Sequence, residues 1–232
     1  MYKPILIVPD VHGRSFWEPA LKYEGEIVFL GDYLDPYPSE KIDAAQALET
    51  FKNIVDFKRQ NPERVTLLIG NHELHYYDTQ YRCTRFSHTN YETVHTILTA
   101  EETKDYFCIC RKIENVIFIH AGILKGWYDE HAESLAEFGE GIDDQLNNLF
   151  KADKEPFGEV SALYRGGDSD YGSPIWADFR EIISEQEVFD PECMQVIGHT
   201  QFTSAEPLVH KNVRLVDNRK LYVLEDGAIK HY

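Results

Sequence analysis

The chain has 232 residues with 23 basic against 40 acidic side chains, a net charge of −17, and 13% aromatic content. That length suits one large α/β domain, taken here as residues 1–232, and the negative field argues against a nucleic-acid partner while leaving room for a small phosphorylated substrate bound through divalent metal. No apolar run approaches the roughly 18–20 residues that span a bilayer, so no membrane partner is expected, and no signal-peptide pattern precedes the first strand, which reads as a cytoplasmic protein.

Residues 4–8 form a short continuous apolar run, the pattern of a strand covered on both faces, and deliver Asp10, His12 and Gly13 into a loop. Residues 15–22 then look helical. Residues 27–30 form a second strand that ends in Gly31 and Asp32, with Asp35 shortly after. A helix is expected from an N-cap at Ser39, with Ile42, Ala45, Leu48, Phe51, Ile54 and Val55 on one face until Asn61-Pro62 stops it. Residues 65–69 form the third strand and end in Gly70-Asn71-His72-Glu73. Strands alternating with helices at this spacing predict a parallel sheet with right-handed crossovers.

Residues 75–105 differ, being rich in Tyr, Thr, His and Arg with a weak helical pattern at 91–98, and are expected to form a lid or wall over the site. Residues 106–110 and 116–119 read as two strands paired antiparallel through a turn at 112–115, the second ending in His120-Ala121-Gly122. Cys108 and Cys110, two apart in one strand, should share a face as packing. With Cys83 and Cys193 they fit reduced thiols better than a disulfide framework. Residues 128–165 hold helical fragments, and the acidic run at 137–144 reads as a solvated face. The Gly pair in 165–172 lacks the strand-to-helix context of a phosphate cradle. Residues 196–197 lead into Gly198-His199-Thr200, strands follow at 213–216 and 221–224, and 225–227 is a hairpin turn into 228–231.

Six polar residues stand just beyond those apolar runs: Asp10, His12, Asp32, Asn71, His120 and His199. One His at a strand end is ordinarily a satisfied polar residue, and Asn after Gly is ordinarily a turn residue. Five short motifs in this order make coincidence a poor account. Mixed oxygen and imidazole donors without thiolate suit manganese, iron or zinc better than calcium or magnesium, and manganese is the first expectation. Two cations about 3.5–4 Å apart need a shared anionic ligand. Asp32 is the candidate bridge, with Asp10 and His12 completing one metal and Asn71, His120 and His199 the other.

The blocks DVHG (10–13), GDYLD (31–35), GNHE (70–73), HAG (120–122) and GHT (198–200) together resemble the signature of the calcineurin-like metallophosphoesterases, in particular their phosphoprotein-phosphatase branch. The resemblance implies a metallo-dependent phosphatase-like α/β fold, a four-layer sandwich of two mixed β-sheets flanked by helices, with the same ligand assignment at the strand ends. It implies two-metal hydrolysis of phosphomonoesters by a metal-bridging hydroxide, a protein serine/threonine phosphatase being one form. His72, beside Asn71, is the expected general acid, with Asp35 accepting its other N–H. Rival readings are a dinucleoside tetraphosphate-like hydrolase, with Tyr76, Tyr77, Tyr81 or Phe86 stacking a base, a phosphodiesterase, and a non-catalytic phosphate-binding scaffold. The chain departs from the family at Pro36-Tyr37, where Arg-Gly is usual after the Asp35 position, and at Ile69, where Arg usually precedes GNHE. At position 201, Gln201 replaces the further His of many non-phosphatase relatives. Arg180, in a W-x-D-like segment at 176–178, and Arg14 are the candidate substrate-binding cations. Arg82, Arg85 and Arg165 fit a surface role at least as well.

Overall fold

The structure, a computed structural model, describes residues 3–81 and 83–232; Arg82, one of the candidate cations, lies outside the described residues. The chain divides into two compact units, one made of Met1–Cys108 with Arg219–Tyr232 and one of Ile109–Asn218. Among the described residues the strands are β1 (Ile5–Val8), β2 (Glu26–Phe29), β3 (Val65–Leu68), β4 (Phe107–Cys108), β5 (Cys110–Ile113), β6 (Val116–Ile119), β7 (Met194–Ile197), β8 (Leu208–His210), β9 (Val213–Leu215), β10 (Tyr222–Glu225) and β11 (Ala228–His231). The helices are α1 (Ala44–Gln60), α2 (Asn71–Tyr77), α3 (Tyr91–Thr99), α4 (Lys125–Ala136), α5 (Ile142–Ala152), α6 (Ala162–Arg165) and α7 (Phe179–Ser184). Two mixed sheets with helices against them give the α/β class that the resemblance implied.

In the first unit the sheet runs β11-β10-β1-β2-β3-β4. β1 to β4 are parallel, and β10 and β11 add antiparallel to the β1 edge. β1 is buried at every position, as a strand covered on both faces must be. The two-residue turn between β10 and β11 puts both Asp226 (φ 49°) and Gly227 (φ 75°) in the left-handed region, the geometry that favours tight hairpins. The helix expected from Ser39 starts later. Asp43 caps α1 through a reciprocal capping box with Gln46, and Lys41, at φ 58°, turns the chain ahead of it. Ile42 therefore precedes the helix and Ala45 faces solvent, while Ala47, Phe51, Ile54 and Val55 form its buried face. The helix expected at 15–22 is a short 3₁₀ segment, Glu18–Lys22.

In the second unit the sheet runs β5-β6-β7-β9-β8, with β6, β7 and β9 parallel and β5 and β8 antiparallel at the edges. The strand expected at 106–110 is in fact two. The Asn147 side chain accepts from the backbone N–H groups of Ile109 (2.8 Å) and Cys110 (3.0 Å) and donates to the Cys110 carbonyl (2.9 Å), so the residue between β4 and β5 spends its N–H on a side chain instead of a ladder. Cys108 and Cys110 consequently belong to different strands and share no strand face. All four cysteines are free thiols. The antiparallel partner of β6 is β5, through a turn with Glu114 at φ 52°.

Candidate metal centre

Parallel strands in adjacent positions bring their carboxyl ends side by side; the loops leaving β1 and β2 carry Asp10 and His12, and Asp32 and Asp35, while Asn71 and His72 open α2 just after β3. The first two loops are tied through backbone. Val11 and His12 N–H groups donate to the Asp32 carbonyl at 3.0 and 2.7 Å, and Gly13 N–H donates to Tyr33 at 2.8 Å. Gly13 is required there: φ is +74°, and a Cβ would sit 2.9 Å from Ala47 Cβ. His12 (φ 45°), Asp32 (φ 52°) and Asp35 (φ 58°) are all left-handed, a strained conformation for residues with a side chain.

Glu73 holds that strain in place. One carboxylate oxygen accepts from Asp32 N–H (2.8 Å) and Gly70 N–H (3.0 Å), and the other accepts from Tyr33 N–H (2.8 Å). Burial and the Asp32 charge push its pKa up to about 8 despite those hydrogen bonds. Sequence reasoning gave Glu73 no role of its own; its place in the GNHE block was the one signal available.

The donor set fits a cation. His12 Nδ1 donates to the Leu34 carbonyl at 2.8 Å, which leaves the lone pair on Nε2, and Nε2 lies 3.5 Å from Asp32 Oδ2. Burial lowers the His12 pKa to about 3, outweighing the Asp32 charge, so the ring is neutral. An imidazole lone pair and a carboxylate oxygen thus face each other where only a positive centre suits both. Asp10 and Asn71 are buried beside them in sequence, at 1% and 4% exposure. The His72 N–H donates to the second Asp32 oxygen at 3.1 Å.

His72 and Asp35 meet as expected, with Nδ1 donating to Asp35 Oδ2 at 2.8 Å. Tyr76 Oη donates to the other Asp35 oxygen at 2.7 Å. Arg85, for which a surface role had been as good an expectation, instead turns inward. Its Nε donates to the Asp35 carbonyl at 2.9 Å and an Nη lies 3.2 Å from His72 Nε2. Two influences oppose each other on this imidazole. Burial lowers its pKa, but the Asp32 charge and the Asp35 hydrogen bond outweigh it and hold it well above the ordinary value. The Arg85 donor, by contrast, suits a ring whose Nε2 accepts. Arg14 is buried nearby in this unit, with Nε on Glu40 at 2.9 Å and Nη1 on the Asp10 carbonyl at 3.2 Å.

The second unit places His120 after β6 and His199 after β7, neighbouring parallel strands. Gly198 N–H donates to the His120 carbonyl at 2.7 Å, and His120 Nε2 lies 3.2 Å from His199 Nδ1. Two ligands at right angles on one ion, each about 2.1 Å from it, would stand about 3.0 Å apart, so this pair too suits a metal. His199 is left-handed at φ 65°. Gln195 fixes the loop after His120 by accepting from Ile123 N–H (2.8 Å) and donating to its carbonyl (3.3 Å). Trp176 stands edge-on to His199, and Asp178 caps α7. Arg165 and Arg180 both pair with Asp178, at 2.9 and 2.8 Å. Burial alone would raise the Asp178 pKa, but the Arg180 hydrogen bonds and the Arg165 charge win and hold it below the usual range. The Arg180 side chain is 66% exposed and already engaged by Asp178.

Buried carboxylate, amide and imidazole donors gathered at the carboxyl ends of strands define a metal-binding α/β protein. The profile of the calcineurin-like phosphoesterase family matches residues 3–200, so the chain belongs to that family. The serine/threonine-protein phosphatase 6 catalytic subunit of Drosophila melanogaster is 32% identical over 76 residues, which is 30% of this chain. The match spans 23% of that relative's own length. Among solved structures, the cold-active protein-tyrosine phosphatase of a Shewanella species aligns with a TM-score of 0.58 at 19% identity, over 99% of this chain and 77% of the other. A protein serine/threonine phosphatase from Saccharomyces cerevisiae aligns with a TM-score of 0.51 at 13% identity, over 97% and 73%. At such identities the likeness is one of fold. No helix among the described residues is long and apolar enough to cross a membrane.

Proposed function

We propose that the chain is a phosphomonoesterase working with two divalent cations, manganese in the first instance. Asp10, His12 and Asp32 would hold one, and Asp32, Asn71, His120 and His199 the other, so the reading takes residues 1–232 as one functional domain. One observation carries it: the buried Asp32 carboxylate lies 3.5 Å from an imidazole nitrogen whose ring proton is committed to the Leu34 carbonyl. Bound cations of this kind supply Lewis acidity toward phosphoryl oxygens and lower the pKa of water.

The chain's own residues do the rest. His72 donates a proton to the leaving oxygen, and Asp35 fixes the ring that does so. Tyr76 and Arg85 engage Asp35 at its carboxylate and its carbonyl, so the carboxylate cannot turn away from the imidazole. Residues 75–105, which supply both, act as the wall of the site. Arg14 and Arg180 bind substrate oxygens, Arg180 only by sharing itself with Asp178.

Phosphorylated protein is the proposed substrate, and the cytoplasm, where free thiols persist, the proposed compartment. The Drosophila and Saccharomyces proteins are described as serine/threonine phosphatases and the Shewanella protein as a tyrosine phosphatase. Phosphopeptides carrying each of these residues should therefore be compared with a dinucleoside tetraphosphate on manganese-loaded protein, with metal content measured alongside. Two ions per chain and phosphopeptide turnover are expected. A protein that binds no metal and cleaves none of the substrates would refute the proposal, and preference for the dinucleotide would move it to the polyphosphate class.

A further inference from the structure

We infer that Arg14 and Arg85 form a two-guanidinium seat at the ring of Tyr37 that takes the dianionic phosphoryl group of a monoester and selects it over a diester. The inference deepens the proposed function and rests on it for the reaction, though not for the binding.

The first observation is an unsatisfied cation. Arg14 is 8% exposed, and while Nε and Nη1 are engaged by Glu40 and the Asp10 carbonyl, its Nη2 is buried and has no hydrogen-bond partner among the described residues. A buried donor left unmade costs about 1–3 kcal/mol, more when charged, and phosphate oxygens are the acceptors that a guanidinium fork fits best. The second observation is independent, because it comes from another part of the chain. The Arg85 guanidinium carbon lies 3.8 Å from the centroid of the Tyr37 ring, whose centroid is 5.6 Å from that of Arg14. Arg85 is held there by Asp35 and Thr84, on backbone at φ 67°. Positive φ in an arginine is the kind of strain that persists where a side chain must be aimed.

Tyr37 also connects the seat to the candidate metal ligands, since the His12 ring stands edge-on to it at 5.3 Å. Arg14 binds the carbonyl of Asp10 and Arg85 that of Asp35, so each guanidinium borders a residue already assigned to the reaction. Charge favours a dianion. Glu40 is shared by Arg14 and Arg219, at 2.9 and 3.0 Å, so one carboxylate answers two guanidiniums, while Arg85 is held by the Asp35 carbonyl, the Thr84 hydroxyl and the His72 ring and pairs with no carboxylate among the described residues. A diester brings a single charge and two terminal oxygens where a monoester dianion brings two charges and three, so it gains less from the second guanidinium.

Inorganic phosphate titrated into metal-stripped protein by calorimetry tests the seat without any hydrolysis. Wild type should bind it, Arg85→Met should weaken binding at least tenfold, and Arg85→Lys, which keeps the charge and loses the fork, should fail to restore it. On manganese-loaded protein, kcat/KM for an aryl phosphate monoester should fall in Arg85→Met at least tenfold further than that for the aryl diester. Arg14→Lys should show the same ordering; Arg85, being half-buried and in a loop, keeps the test decisive if the Arg14 variant fails to fold. Absence of phosphate binding by wild type, wild-type affinity in Arg85→Met, or an equal loss on both esters would overturn the seat. If loaded wild type cleaves neither ester, the proposed function falls while the titration still judges the arginines.

Discussion

The two units offer candidate ligands of different chemistry, carboxylates with an imidazole and an amide in the first and imidazoles in the second. In the first, Asp10, Asp32 and Asp35 are buried together with Glu73, and the cations that face them are arginines and His72. In the second, the two candidate ligands are imidazoles, and of the buried carboxylates among its described residues, Asp178, Glu181 and Asp217, the first is engaged by Arg165 and Arg180. The difference teaches a division of labour on the proposed function. On that proposal, the first unit would supply the carboxylates and the second imidazole ligands that bring no negative charge of their own, which would preserve Lewis acidity.

Removing the charge should break this comparison most severely. Asp32→Asn is expected to lose both ions and to lower turnover by ~10³-fold or more, and metal counted per chain by mass spectrometry checks it. Within the same experiment His12→Ala should lose more metal than His199→Ala; equal losses would mean the units contribute alike. His72→Asn sharpens the contrast by leaving the ligands untouched. It should keep both ions and lose ~10²–10⁴-fold on substrates with poor leaving groups, whereas activity equal to wild type on those substrates would remove His72 from proton transfer.

Stability gives a smaller effect. Glu73→Ala leaves the N–H groups of Asp32, Tyr33 and Gly70 without their acceptor, for which about 3 kcal/mol is expected in urea unfolding of the metal-free protein. Gln195→Ala, its counterpart in the second unit, frees only the N–H and carbonyl of Ile123 and should cost less, about 1–2 kcal/mol. The smallest effect concerns pH. The hydrogen bond to Glu159 raises the His131 pKa above its ordinary 6.5. The folded state therefore holds that proton more tightly, and the stabilisation is complete below about pH 6.5 and disappears as pH rises through the raised value. Because the pair is partly solvated, less than ~1 kcal/mol is at stake. Unfolding of His131→Gln measured from pH 5 to 9 should show a flatter profile than wild type.

Most of the candidate site was legible because fold and chemistry share one signal: an apolar run that stops at a glycine and a polar side chain marks both a strand end and a ligand. The features that escaped depend on partners distant in sequence or on competition between near-equal local choices. Ser39 and Asp43 are both good caps, and only the Gln46 return bond decides for Asp43. The break at Ile109 depends on Asn147, far along the chain. The Asp178–Glu181 capping box was readable, but the helix it starts is too short to show periodicity. Arg85 lies in a loop with no pattern at all, and nothing local distinguishes it from a surface arginine. Arg180 looked available because the Asp178 that occupies it was read only as part of a motif.

Four of the assigned side chains, His12, Asp32, Asp35 and His199, stand on left-handed backbone. Such positions screen substitutions by shape before chemistry is consulted: asparagine and glycine pass easily, whereas valine and isoleucine do not. Genetic drift at these sites should therefore yield well-folded, inert descendants more readily than collapsed ones. A lineage carrying asparagine at position 32 or 35 could lose its reaction and still fold, so a silent relative need not be an unstable one.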